Sequence, residues 1–286
     1  MLQKCIAIFL LQFSIAYAIA QSSYRLSVVD ASNRPVPYAT ILWSRTEGAI
    51  TDIAGLASCF PKKNPDTFFI TAISYMPVAV PVRMLLPDIV NMIRMEHIED
   101  SLPEIKIWPE GDPEYLGCLD TKDGYSRVGN LSSHFFQDGL LLEADGGIDF
   151  KLKSVSVFVS KKSATEIPFR IRIYDVDSNG LPATDLLLEN VIVSDYKAGS
   201  WNEISLDHYE LRQPGRTFVV ATEWIGNTSG DGNYLWIGET DNLSKPFTYV
   251  KYGNTPWRLW KVPSPSGAPT NVMIKATIVY PKKRHQ

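Results

Sequence analysis

Short runs rich in β-branched and aromatic residues, each closed by a turn signal, limit most strongly what this chain can fold into. In the N-terminal part they span 24–29, 36–43, 67–75, 91–95 and 104–108. Between them stand Asn33-Arg34-Pro35, Asp52-Ile53-Ala54-Gly55 and Lys62-Lys63-Asn64-Pro65-Asp66. Eight more runs follow at 154–160, 169–176, 190–194, 201–206, 217–225, 234–239, 248–252 and 272–280. Gly, Pro, Asn and Asp turn the chain by supplying positive φ, a preset φ, or a side-chain oxygen that caps backbone N–H groups. No amphipathic helix longer than a turn or two is legible, and 85–90 offers a single helical turn at most. The class is therefore all-β. The spacing predicts a small antiparallel sandwich over 21–108 and a jelly-roll-like sandwich over 131–282. Residues 109–130, opening Pro109-Glu110-Gly111-Asp112-Pro113-Glu114, read as a linker or loop. In Phe169-Arg170-Ile171-Arg172-Ile173 the apolar side chains take one face and both arginines the other, as in a sheet with one wet side.

Residues 1–20 read as an address rather than as structure. Lys4 precedes an apolar run from Cys5 to Ala20, and Ala18 and Ala20 are the small residues of a signal-peptidase cut before Gln21. The run is short for a membrane span, so the expected mature chain is exported with no integral span. Cleavage removes Lys4 and takes the net charge from −3 to −4. That weak acidity argues against a nucleic-acid binder, which needs a basic patch to neutralise phosphates. It also leaves two thiols, Cys59 and Cys118, far apart in sequence. They pair, or one is buried and the other lies in the linker, the latter being favoured.

Val28-Val29-Asp30, Pro35-Val36-Pro37-Tyr38-Ala39-Thr40-Ile41 and Gly48-Ala49-Ile50-Thr51-Asp52-Ile53-Ala54-Gly55 carry a resemblance. The series resembles the carboxypeptidase-D regulatory-like domain, whose pattern is V-x-D, P-V/L-x-x-A-x-I, G-T-x-T-D-x-x-G. Ile73-Ser74-Tyr75 matches the family's S-x-x-G-Y strand without its Gly, and Leu102-Pro103-Glu104-Ile105-Lys106-Ile107 matches its closing strand. The resemblance covers residues 22–107 and implies a transthyretin-like β-sandwich of a kind abundant in exported proteins of Bacteroidetes. Such domains accompany peptidases and outer-membrane receptors without being catalytic. The C-terminal half resembles uncharacterised partner domains only loosely.

Three constellations bear on chemistry. Asp175-Val176-Asp177-Ser178-Asn179-Gly180 has the start of a calcium loop, with Asp175, Asp177 and Asn179 as oxygen donors. The twelfth position is Leu186 rather than Glu, and the flanks are strand-like, so the competing reading is an Asx-Gly hairpin without any cofactor. Trp257 and Trp260, with Tyr252, lie beside Gly/Pro-rich loops and are the candidate ligand-binding residues, whereas Trp201, Trp224 and Trp236 read as core. Glu223 sits in an otherwise apolar strand: with Glu239 it is a candidate acid pair, or else it pairs with Arg170 or Arg172. His97, His134, His208 and His285 are scattered, with no zinc spacing. Asn130, Asn227 and Asn242 begin sequons that matter only in a eukaryotic secretory pathway.

The expected function is an exported, non-catalytic binding or adaptor protein of a bacterial cell envelope, contacting a glycan or protein partner through its C-terminal half. The alternatives are a glycoside-type hydrolase using Glu223 and Glu239, and a structural subunit of an outer-membrane assembly.

Overall fold

The computed structural model describes residues 23–281 apart from 46, 99–109, 122–123, 129–135, 145–149, 165–166, 210, 212–215, 226–233, 244 and 246. The leader, the closing strand of the family resemblance, His134, His285, and the sequons at Asn130 and Asn227 lie outside the described residues. The chain is all-β. The described helical elements are two 3-10 turns, Val82–Met84 and Asp207–Tyr209.

Seven strands come first: β1 (Tyr24–Asp30), β2 (Thr40–Leu42), β3 (Gly48–Ile50), β4 (Leu56–Cys59), β5 (Thr67–Thr71), β6 (Val78–Pro81) and β7 (Val90–Met95). They form two small sheets, ordered β4-β1-β7 and β3-β2-β5-β6. Alternation along β1 sends Tyr24, Leu26 and Val28 inward, where they meet Ile41, Phe68, Ile70, Ile93 and Met95 in one hydrophobic core. The expected all-antiparallel arrangement is corrected at one pairing, because β1 and β7 run parallel. The long excursion through β2–β6 between them permits this.

The remaining strands are β8 (Glu110–Gly117), β9 (Tyr125–Val128), β10 (Phe136–Glu143), β11 (Lys151–Val159), β12 (Phe169–Val176), β13 (Pro182–Asp185), β14 (Val191–Val193), β15 (Ser200–Ser205), β16 (Thr217–Trp224), β17 (Trp236–Thr240), β18 (Thr248–Tyr252), β19 (Arg258–Leu259), β20 (Asn271–Val272) and β21 (Ile274–Pro281). They build two seven-stranded sheets. One is ordered β13-β12-β16-β10-β18-β19 with β14 on β12, the other β20-β17-β11-β21-β8 with β15 on β11 and β9 on β17. A second core fills the space between them, including Phe169, Ile171, Ile173, Phe218 and Val220 from one side and Val155, Val157, Ile274 and Ile278 from the other.

Part of the expected linker is thus a strand, since β8 pairs with β21 along its length. Its Pro113 is tolerated because β8 closes its sheet, where a missing N–H leaves no ladder unpaired. Cys118, expected in a linker, is instead buried beside Phe158 and Met273, while Cys59 lies in the other core. Both are free thiols. Burial pushes Cys59 up to about 12 and Cys118 up to about 11.

Candidate functional site

The outer face of the β12–β16–β10–β18 sheet carries most of the residues singled out from sequence. Register places Arg170 opposite Glu223 and Glu223 opposite Gln137. As the alternation predicts, the arginines face away from the sandwich core, yet that face is not wet. Arg170 has no exposed surface and Glu223 is 3% exposed. Glu223 Oε2 lies 2.8 Å from Arg172 Nε and 2.9 Å from Arg170 Nε, the latter out of line for a hydrogen bond, so that attraction is coulombic. Arg172 also meets Asp185 at 2.5 Å. Burial raises the Glu223 carboxyl, but attraction by Arg170 and Arg172, with hydrogen bonds from Arg172 and Gln137, outweighs it and holds the group at about 2. A carboxylate held ionised in this way is not a proton donor at neutral pH. Glu239 lies in the other seven-stranded sheet, on the same face of its strand as the core residue Ile237. The two carboxylates therefore do not share a cleft.

Trp257 is corrected from a surface platform to a cover. It is 9% exposed, meets Tyr174 edge-on at 5.3 Å between ring centroids, and packs with Val219, Ala221 and Tyr249 on this outer face. The Gly/Pro-rich flank marks a turn that folds back over the sheet, and the indole takes the apolar place there. Half-buried Trp260 donates its indole N–H to Thr270 Oγ1, and Tyr252 lies under the Arg258 guanidinium at 5.0 Å. Each of the three residues makes intramolecular contacts. Of the tryptophans read as core, Trp224 is buried, and Trp201 and Trp236 are half-buried.

The calcium pattern folds as the β12–β13 hairpin. Asp177 Oδ1 accepts the N–H groups of Asn179 and Leu181, Asp175 Oδ1 accepts that of Thr184, and Gly180 takes a φ of 79°. Backbone donors thus occupy one oxygen of each carboxylate, as in an Asx turn. Among the described residues no group of three His, Cys, Asp or Glu is placed to hold a metal ion.

A cleft lies elsewhere among the described residues, and sequence reasoning missed it. It begins at the Thr51-Asp52-Ile53-Ala54-Gly55 turn. Buried Thr51 Oγ1 accepts from Ala39 N and donates to Val36 O, pinning the turn to the neighbouring chain. Asp52 Oδ1 accepts from Ala54 N and Leu56 N, and Asp52 N donates to Leu56 O. Gly55 has φ 71°, and a Cβ there would lie 2.5 Å from Val28 O, so no other residue fits. Beyond this hinge the two arms diverge: β3 joins β2 in one sheet and β4 joins β1 in the other. Between them opens a cleft of about 680 Å³ lined by Arg25, Trp43, Leu56, Phe60, Val90 and Ile225 among others. Phe60 is 59% exposed, Val90 50% and Leu56 44%. The apolar pair Leu56 and Phe60 flanking Ser58 was the available sequence signal, but it stands outside any long strand pattern.

No family model matches this chain, and no curated protein matches it significantly. Among solved structures it is similar to the cysteine protease and lectin-like domains of Cwp84, a surface layer associated protein of Clostridium difficile, at 14% identity over 55% of this chain and 36% of that one, with a TM-score of 0.37. The chain thus spans 36% of the length of that structure. It is also similar to clostridial cysteine protease Cwp84 after propeptide cleavage, at 10% identity over 90% of this chain and 70% of that one, TM-score 0.41. A third likeness is to infectious bursal disease virus Gt strain, at 9% identity over 92% and 60% of the two chains, TM-score 0.28. Likenesses of this size define neither a family nor an activity.

Proposed function

We propose that this chain is an exported, non-catalytic binding or adaptor protein of a bacterial cell envelope, and that the cleft between β3 and β4 holds its glycan or protein partner. The observation that carries this reading is the cleft itself. Its volume, about 680 Å³, falls in the range of binding sites, roughly 300–1,000 Å³. Its walls combine exposed apolar side chains with one cation, Arg25, and one carboxylate, Asp52. The hydrolase alternative loses its support, because Glu223 is spent on two arginines. Export rests on the leader pattern. No described helix is long and apolar enough to cross a membrane.

The test is binding of fluorescently labelled residues 21–286 to isolated envelope fragments, untreated, protease-treated or periodate-treated. Saturable binding that Phe60→Ser weakens at least tenfold is the expected result, and the treatment that abolishes it tells protein from glycan. Absence of saturable binding to all three preparations overturns the reading.

A further inference from the structure

The split hairpin leaves two strand edges open, one at the end of each small sheet. In antiparallel pairing, hydrogen-bonded residue pairs alternate with non-bonded ones. Trp43 N donates to Glu47 O and Thr51 N to Ala39 O, which makes Ile41–Ala49 the bonded pair between them. The main-chain groups of Gly48 and Ile50 therefore point away from β2, into the cleft. Val28 N donates to Gly55 O, which makes Leu26–Ala57 the next bonded pair and turns Leu56 and Ser58 away from β1. Asp52 takes both main-chain groups of Leu56, and those of Ser58 face the cleft. Neither β3 nor β4 has a sheet neighbour on this side among the described residues.

Proteins blunt open strand edges with proline or charge. Four strands at other sheet margins here carry Pro81, Arg94, Pro113 and Arg258, although β14 and β20 carry neither. The sequences of β3 and β4, Gly-Ala-Ile and Leu-Ala-Ser-Cys, carry neither.

We propose that the open edge of β4 in this cleft takes an extended segment of a partner polypeptide as an added strand, antiparallel to β4. Because it names the partner class of the same cleft, this inference rests on the binding reading above. Side-chain rows define the segment's chemistry. Ser58 stands opposite Arg25, and Arg25 opposite Val90, on the solvent face of this sheet. A residue paired with Ser58 lies in the positive field of Arg25 across that small side chain, so charge complementarity asks for Asp or Glu there. Arg25 donates one N–H to Asp88 O and retains other donors. Residues two positions either side of the acid meet exposed Leu56 and Phe60, so they are apolar. The intervening residues stand opposite Ala57 and Cys59, on the inward face of β4, and are small. The segment is apolar–small–acidic–small–apolar, recognised by strand addition.

The probe is the blocked, labelled peptide Thr-Val-Ala-Glu-Ala-Val-Thr, titrated by anisotropy against residues 21–286. We expect it to bind at least tenfold tighter than the version with Lys for Glu, and at least tenfold tighter than the version N-methylated at Glu, which removes the donor facing Ser58. Arg25→Glu is expected to reverse the Glu/Lys preference. Equal binding of the Glu, Lys and N-methyl peptides overturns the proposal without any variant having to fold. Absence of peptide binding by protein that still holds envelope fragments overturns it and leaves the binding reading standing. A concentration-dependent dimer in sedimentation that the peptide does not dissociate assigns the cleft to a second copy and likewise overturns it.

Discussion

Arg170 and Glu223 are fully buried charges with Arg172 partly buried beside them, and removing one partner leaves the others stranded. A broken buried pair costs about 3–5 kcal/mol, more than an exposed pair contributes, because an uncompensated charge stays desolvated. Glu223→Gln is therefore expected to lower unfolding free energy by about that amount at neutral pH. The pH dependence has a definite sign. The folded carboxyl, at about 2, lies below its ordinary value of 4.5. Its stabilisation is thus complete above about pH 4.5 and is lost as pH falls from there towards 2. Urea titrations followed by tryptophan fluorescence at pH 7, 4.5 and 3 check this. The wild type is expected to weaken over the lower interval and Glu223→Gln to change less; parallel slopes for both refute the assignment.

At the scale of elements, legibility in the sequence followed side-chain chemistry. Phe169–Val176 alternates apolar and charged residues, and its expected bounds coincide with the strand observed. Thr217–Trp224, central and buried on both faces, is marked by its β-branched and aromatic run. Phe136–Glu143, just as central, escaped notice because it holds no β-branched residue and its Asp138-Gly139 reads as a turn. Short arms such as Gly48–Ile50 and Leu56–Cys59 are invisible for a different reason, having too few residues to establish any period. The candidate cleft lies between those arms, so it was not legible, whereas the turn that creates it was. Gly139, within the hidden central strand, tests how tightly this outer layer is packed. A Cβ there would lie 2.7 Å from Val219 Cγ1 and 2.9 Å from Ala221 Cβ. Gly139→Ala is expected to cost about 1–3 kcal/mol by overpacking, and adding Val219→Ala to return part of it. Denaturant midpoints with an unchanged slope check both; no recovery in the double variant would place the strain elsewhere.

Across the whole molecule, two hydrophobic cores meet at a polar junction. Arg170 Nη1 donates to Tyr38 O at 3.2 Å and to Asn190 Oδ1, whose amide nitrogen stands 3.5 Å from Pro37 O. Tyr38 is held at φ 56°, a conformation that presents its carbonyl to this guanidinium and is unusual for a residue with a Cβ. Ser74 Oγ donates to Leu188 O, and Asn254 N to Arg45 O, on the same seam. Arg170 thus works in two directions at once, balancing Glu223 within the large sandwich and capping the Pro37-Tyr38 turn of the small one. The small sheets enclose a modest core, and a unit of that size buries a smaller share of its surface than the larger sandwich does. Its stability should therefore borrow from the junction. The expected outcome is one cooperative endotherm for the wild type in scanning calorimetry. Arg170→Met should resolve two, with the first assigned to the small core by early exposure of Trp43, which packs against Phe68 there. Since Arg172 remains on Glu223 in that variant, the large sandwich keeps a counter-ion for its buried carboxylate. A single endotherm merely displaced to lower temperature would show that apolar contact, rather than this arginine, couples the cores. Because Ile225 lines the cleft from the large sandwich, uncoupling should also weaken the partner segment's hold, which ties the junction to the proposed function.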